Sequence, residues 1–502
     1  MEAQLPEYSL RMMAPEIFLF LWSLVVITVD LVTRRRSGST IGYLAMLGLL
    51  ICGAILAFTG YGRGFGDMFF NDPMAVFFKI IFLGAAFLAI GSSFGLTQER
   101  IVNHRGEFFG LMLMSTVGMM FLASSQELLS LYIGLELTTI PLFVLAAFFK
   151  DDRRSVEAGI KYMIVGALSS ALLLFGISYL YGLTGTTDLL QLRLHLSALH
   201  ITRQTIGVIL ILATAGILAG IGFKLALPPF HQWAPDVYEG SPTPVAAFLS
   251  VGSKAAGLVA FAKIMILGLF TFWDPVMRPN DWGVLVGVLA AAAMIWGNVA
   301  AIRQTNIKRM LAYSSIAQAG YVMIGMLALN EYGLASVGFY VFVYMFANMG
   351  AFAAVTFFED QTGSCEIASY RGLAKTSPFF SIALAVFLLS LAGIPPLAGF
   401  FAKYYVFAAA ISLAGADQSY NWLYWLVGIG LLTSVFALYY YANIIKATWF
   451  AKEASPHKVR YSAPAMAVLV IGLVGVLLFG LYPEPIVKFA SEIPSSFGFV
   501  LP

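Results

Sequence analysis

Residues 128–149 read LLSLYIGLELTTIPLFVLAAFF, a run of 22 residues whose single ionisable side chain is Glu136. About 20 predominantly apolar residues cross a bilayer as a helix, and a backbone alone in lipid must satisfy its own hydrogen bonds. Leu128–Phe149 therefore reads as a transmembrane helix with a carboxyl near its centre and no loop within reach. A buried, unpaired carboxylate takes a proton or finds a basic partner, and both options are proton chemistry.

Outward from this run, the same criterion marks thirteen more spans, at about 15–33, 41–60, 73–95, 108–124, 156–181, 207–229, 240–270, 283–301, 307–329, 332–358, 379–413, 423–446 and 462–482. The whole chain of 502 residues is 60% hydrophobic and 11% charged, against about 25% charged in soluble domains. That stock of charge does not build a water-facing surface, so the class is an all-α polytopic membrane protein with about 14 helices. The net charge of +3 is too small to imply a nucleic-acid partner. Two unrelated cysteines, Cys52 and Cys365, and five histidines at loop or boundary positions argue for no metal, haem or iron–sulfur site.

Alternating loops divide the cations 17 to 6, with Arg34, Arg35, Arg36, Arg153, Arg154, Lys308 and Arg309 on the richer side. Basic loops stay in the cytoplasm, which places both termini on the outer side. Residues 182–206 read as a short surface helix. Gly60–Gly66 resembles a phosphate loop superficially, but no strand precedes it, so a flexible turn is expected.

The remaining six cations, Lys79, Lys161, Lys224, Lys254, Lys263 and Lys403, lie in or near apolar segments. A charge at the bilayer centre costs at least about 2.5–3.5 kcal/mol and marks function unless the stem snorkels to the interface. Snorkelling accounts for Lys79 and Lys263, while for Lys161 snorkelling and a functional role stand level. Lys254 is nearer the middle of its span.

Two spans are broken by proline pairs, Pro228-Pro229 after Lys224 in 207–229 and Pro395-Pro396 before Lys403 in 379–413. Each pair removes two backbone donors and interrupts its helix, and the freed carbonyls are expected to bind the adjacent lysine. The order lysine–break in one span and break–lysine in the other is what an inverted-topology repeat gives. The halves would be 108–270 and 283–446, between a three-helix segment at 1–107 and a C-terminal helix at 447–502. Tyr313, Ser314, Ser315, Gln318, Tyr344 and Asn348 add uncharged polar groups at membrane depth. A Glu136–Lys224 pair at about 6 Å and dielectric near 20 would attract by about 3 kcal/mol, and Glu136, Lys224, Lys254 and Lys403 would form a horizontal proton relay.

Three motifs carry a family resemblance: HQWAPDVYEGSPTP at 231–244, NIKRMLAYSS at 306–315 and GIPPLAGFFAK at 393–403. They resemble the antiporter-like subunits of respiratory complex I, the proton-pumping NADH:quinone oxidoreductase, and are most similar to the N-type branch. The resemblance covers essentially the whole chain. It implies fourteen helices in two inverted five-helix repeats with broken seventh and twelfth helices. It assigns Glu136, Lys224, Lys254 and Lys403 to the proton relay and makes Lys161 a modulator of the glutamate–lysine pair. His231 and Lys308 fall inside motifs without a clear role, and Lys79 and Lys263 have no motif. Lys403 argues against the M-type branch, which usually has glutamate there. NADH, FMN, iron–sulfur clusters and quinone are expected in partner subunits and no cofactor in this chain. The implied partners are the M-type subunit and the small K and J subunits in a bacterial inner membrane. The competing readings are a subunit of a multisubunit cation/proton antiporter and a non-pumping scaffold.

Overall fold

The structure, a computed structural model, describes residues 10–33, 39–94, 101, 104–198, 205–269, 281–455, 457–460 and 462–497. Arg34, Arg35, Arg36, Arg100, Arg203 and Arg278 of the loop-charge count lie outside the described residues.

Among the described residues, 14 helices are long and apolar enough to cross a membrane. The first three are α1 (Ala14–Val32), α2 (Thr40–Thr59) and α3 (Pro73–Ser92). In place of the flexible turn expected at Gly60–Gly66, a short antiparallel hairpin pairs β1 (Gly62–Gly64) with β2 (Phe69–Asn71). Asp72 then caps α3 by accepting from Ala75 N at 2.7 Å, the usual way a short polar side chain satisfies an orphan helix donor.

The next group comprises α4 (Arg105–Ser124), α5 (Leu128–Ala146), α6 (Arg153–Thr184), the surface helix α7 (Leu189–Ala198) expected at 182–206, and α8 (Thr205–Leu225). A β-carbon on Gly118 of α4 would fall 2.4 Å from the Thr138 nitrogen. Only glycine lets the two backbones pack this closely, as small residues do between membrane helices.

After α8 the seventh span breaks. Ala226 takes a positive φ of 54°, Pro228-Pro229 follow, and the chain resumes helically as α9 (Trp233–Gly240). The eighth span is one continuous rod made of α10 (Thr243–Phe248), a π-helical turn at Leu249–Ser253, α11 (Lys254–Phe261) and a second π-helical stretch at Ala262–Gly268. It is wholly buried.

The second half begins with α12 (Asp281–Ile302), α13 (Ile307–Leu327), α14 (Glu331–Thr362) and the short α15 (Leu373–Thr376). The twelfth span is split into α16 (Pro378–Ala392) and α17 (Ala398–Ala416). Gly393 sits between them with φ 90°, a conformation open to glycine at little cost. The chain closes with α18 (Trp422–Phe450), α19 (Ala463–Leu481) and α20 (Glu484–Ala490).

The eighth span, α13 and α14 are the most enclosed elements, while α1, α2 and α19 turn most of their surface outward. α13 packs against α9, α12, α14 and α17. Together with α14, which packs against α3 and α10, it joins the helices before residue 270 to those after residue 281.

Candidate functional site

Glu136 lies midway along α5, half-buried, and accepts a hydrogen bond from the Ser170 hydroxyl on α6. The carboxyl expected to be deeply buried, with a proton or a basic partner, is thus only partly buried and has a hydroxyl partner. Thr139, three residues further, shares its helix face and hydrogen-bonds the Lys224 ammonium from α8. Glu136 acts on Lys224 electrostatically, but the two are not within ion-pair distance of 4.0 Å. Thr139 stands where a direct pair was expected.

Lys224 is 5% exposed, and its Cβ packs where a β-carbon on Gly257 would stand 3.1 Å away. That glycine is one turn past Lys254 on α11. Lys254, 6% exposed, donates to Ser315 O at 2.5 Å and to Ser315 Oγ at 3.0 Å. The π-helical turn just before Lys254 has no signal in the apolar pattern, and such turns recur at functional positions.

Along α13, Ser315, Gln318 and Tyr321 recur at three-residue spacing on one face. Gln318 donates to Leu391 O at 3.0 Å and accepts from the Tyr340 hydroxyl of α14. Lys403, 6% exposed, donates to the neighbouring carbonyl, Ala392 O, at 2.9 Å and lies 4.6 Å from the centre of the Tyr321 ring. A small cavity of about 10 Å³ between Gln318, Tyr340, Tyr344, Ser390 and Lys403 is of the size that admits one water. The Tyr344 hydroxyl is buried with no protein partner.

The expectation that each lysine would take a carbonyl freed at its break holds for Lys403. It fails for Lys224. There the chain closes on itself: Trp233 Nε1 donates to Phe223 O at 3.1 Å and Leu227 N to Gly222 O at 2.8 Å. The two breaks present their lysines differently, one to a side-chain hydroxyl and one to backbone.

Lys161 neither snorkels alone nor contacts Glu136. It bridges Glu157 and Asp236, both at 2.7 Å. Asp236 on α9 also receives Arg309 of α13 at 2.6 Å, and Arg309 reaches Glu239 at 2.9 Å. Burial alone would raise the Asp236 carboxyl, but the hydrogen bonds and charges of Lys161 and Arg309 outweigh it and hold Asp236 below the usual carboxylate range. Lys308 is buried, donates to Ser241 O at 3.0 Å and pairs with Glu359 at 3.4 Å. His231 lies half-buried with its ring edge-on to Trp296 at 5.8 Å, and burial lowers its pKa. The 231–244 and 306–315 motifs thus meet as one ion-pair network.

Snorkelling is wrong for Lys79 and Lys263. Lys79 is fully buried and pairs with Glu16 at 2.6 Å, and Lys263, 1% exposed, donates to Ser125 O at 2.8 Å. Enclosure by α1, α4 and the hairpin blocks both stems from the interface. Thr139, Ser170, Tyr321, Tyr340, Asp236 and Glu359 escaped the sequence reading. The first was one turn from Glu136, and Asp236 was inside a quoted motif.

The family model described as "NADH:quinone oxidoreductase/Mrp antiporter, TM" matches residues 125–437. The chain belongs to this family. NADH-quinone oxidoreductase subunit N of Heliobacterium modesticaldum is 38% identical over 492 residues, covering 97% of this chain and 99% of the relative. Among solved structures, a chain of respiratory complex I from Thermus thermophilus is 30% identical with a TM-score of 0.76, covering 94% of this chain and 98% of that one. A chain of the Mrp complex from Dietzia shares the fold at 20% identity and a TM-score of 0.79, covering 97% and 98%. This chain thus shares its fold with membrane chains of both complexes.

Proposed function

We propose that this chain is the proton-translocating N-type membrane subunit of an NADH:quinone oxidoreductase, moving protons along Glu136, Lys224, Lys254 and Lys403. One observation carries the reading. Lys224, Lys254 and Lys403 are each at least nine-tenths buried, and their ammonium groups contact neutral oxygens with no acid within 4.0 Å among the described residues. Lys79 and Lys308 in contrast are locked to carboxylates. A buried ammonium without a counter-charge is poorly stabilised, so the three can give up and regain a proton as neighbouring charge changes. Thr139, Ser315 and the Ala392 carbonyl position them, Pro228, Pro229, Pro395 and Pro396 interrupt the helices beside them, Lys161 and Lys308 belong to the network that fixes α9 against α13, and His231 packs on Trp296 beside it.

The relatives named NADH-quinone oxidoreductase subunit N support the assignment. On it, NADH oxidation with FMN and iron–sulfur clusters and quinone reduction belong to partner subunits, and their redox chemistry drives the relay. Partly exposed Glu136 at mid-membrane is costly against lipid, which favours cover by a neighbouring subunit, of K, J or M type. We place the chain in a bacterial inner membrane, and the loop charge favours both termini on its periplasmic side. We read 108–270 and 283–446 as inverted repeats, because α4 lies along α5 as α12 lies along α13, with 1–107 and 447–502 outside them.

The experiment is NADH-driven proton uptake by inverted membrane vesicles. Lys224→Met and Glu136→Gln should abolish the contribution of this subunit with assembly intact, and full pumping in either would sink the relay. The likeness to an Mrp complex favours one second reading, a subunit of a cation/proton antiporter. It predicts proton movement driven by a sodium gradient without NADH.

A further inference from the structure

A second set of buried titratable groups lies away from the lysine row, where α1, α3 and the end of the eighth span meet beneath the hairpin. Glu16, Lys79, Asp72 and Lys263 are each 0–3% exposed. Lys79 Nζ lies 2.6 Å from Glu16 Oε1 and donates to Asn71 Oδ1 at 2.8 Å. Beside Asn71, Asp72 Oδ2 lies 4.0 Å from Lys263 Nζ and 3.4 Å from Gln126 Nε2. Lys263 is in the second π-helical stretch, nine residues after Lys254 on the same rod. All four groups sit at one membrane face, the one bearing the hairpin and the loops poor in Lys and Arg.

As a fastening, this arrangement is poor. Replacing a buried ion pair by apolar residues is often neutral or stabilising, and the second Glu16 oxygen has no hydrogen-bond partner among the described residues. A half-satisfied buried network is worse than an apolar core. As a proton path it is well formed. Acids and bases alternate, Asn71 and Asp72 link the two pairs through adjacent residues, and the Ser124 hydroxyl beside the Ser125 carbonyl is buried with no partner among the described residues. Burial also pushes the Asp72 carboxyl above its usual range against the pull of Lys263, so it accepts a proton readily.

We infer that Glu16, Lys79, Asp72 and Lys263 form a proton-transfer station between the lysine row and the membrane face opposite the basic loops. This rests on the proton-translocating reading of the chain. A proton passes from Lys263 Nζ to the Asp72 carboxylate, leaving a neutral amine and a carboxylic acid. Asp72 then releases it towards the face, and the amine is reprotonated from the side of Lys254. The Lys79–Glu16 pair sets the charge that Asp72 meets.

The test uses the whole complex in inverted vesicles, with NADH oxidation, proton uptake and the amount of assembled complex measured together. The double variant Glu16→Gln/Lys79→Met removes both charges without stranding either. Lys263→Met/Asp72→Asn does the same for the other pair, and Asn keeps the cap on α3. The inference expects protons taken up per NADH to fall towards the Lys224→Met level in both, at wild-type assembly. Wild-type stoichiometry in either assembled double variant overturns it. Lys224→Met is run alongside. If that variant pumps fully, the reading of the chain fails; if it fails to pump while the double variants pump normally, only this station is wrong.

Discussion

Thr139→Val is the most discriminating perturbation of the lysine row. Valine matches threonine in shape but lacks the hydroxyl that is the one hydrogen-bond partner of Lys224 among the described residues. Lys224 is 5% exposed, so water does not substitute freely. A hydrogen bond to a charged group contributes about 1.5–3 kcal/mol, and about 1.4 kcal/mol is tenfold in an equilibrium. The protonated state of Lys224 should therefore lose roughly tenfold to a hundredfold in population relative to the neutral amine. If that state must be refilled in each cycle, NADH-driven proton uptake in inverted vesicles should fall by about tenfold or more. Complex assembly should be unchanged, because the volume is conserved. Thr139→Ser keeps the hydroxyl and should restore most of the uptake. Wild-type pumping by Thr139→Val, or equal loss in the valine and serine variants, would refute the reasoning.

Gln318→Leu should strand the Leu391 carbonyl and the Tyr340 hydroxyl, costing about 1–3 kcal/mol; thermal unfolding should register the loss and proton uptake should drop with it. Gly118→Ala places a methyl against the α5 backbone and should destabilise by about 1–3 kcal/mol, read as a lower Tm and less assembled complex. For Asp236 the folded pKa is lowered, so its stabilising contribution is present above the ordinary carboxylate range and is lost as pH falls below about 4. Tm measured from pH 6 downward should show that acid loss in the native chain and a weaker one in Asp236→Asn.

Much of the fold was legible because a membrane helix is a local problem. Backbone groups must be paired within the segment, so the length of an apolar run translates directly into a span. The break at Pro395-Pro396 was equally local, since proline's missing donor interrupts a helix wherever it sits. Lys403 was legible for the same reason, lying within reach of the carbonyl its own break frees. Lys79 misled because its distance along the helix suggested an escape to the interface, while Glu16, 63 residues away, decides its state. The π-helical turns beside Lys254 and Lys263 escaped notice because a single inserted residue barely disturbs an apolar pattern that is buried on every side.

The sequence by itself determined the number and extent of the spans, the two breaks and the short set of charges that membrane insertion makes expensive. Those are properties of one segment against lipid. Tertiary structure alone decided which charges are paired. It gave Lys224 the Thr139 hydroxyl and Glu136 the Ser170 hydroxyl, moved Lys161 to Asp236, and separated lysines locked to acids from lysines held by neutral oxygens. That division depends on contacts between helices far apart in the chain, and the partner of a buried charge is set by packing.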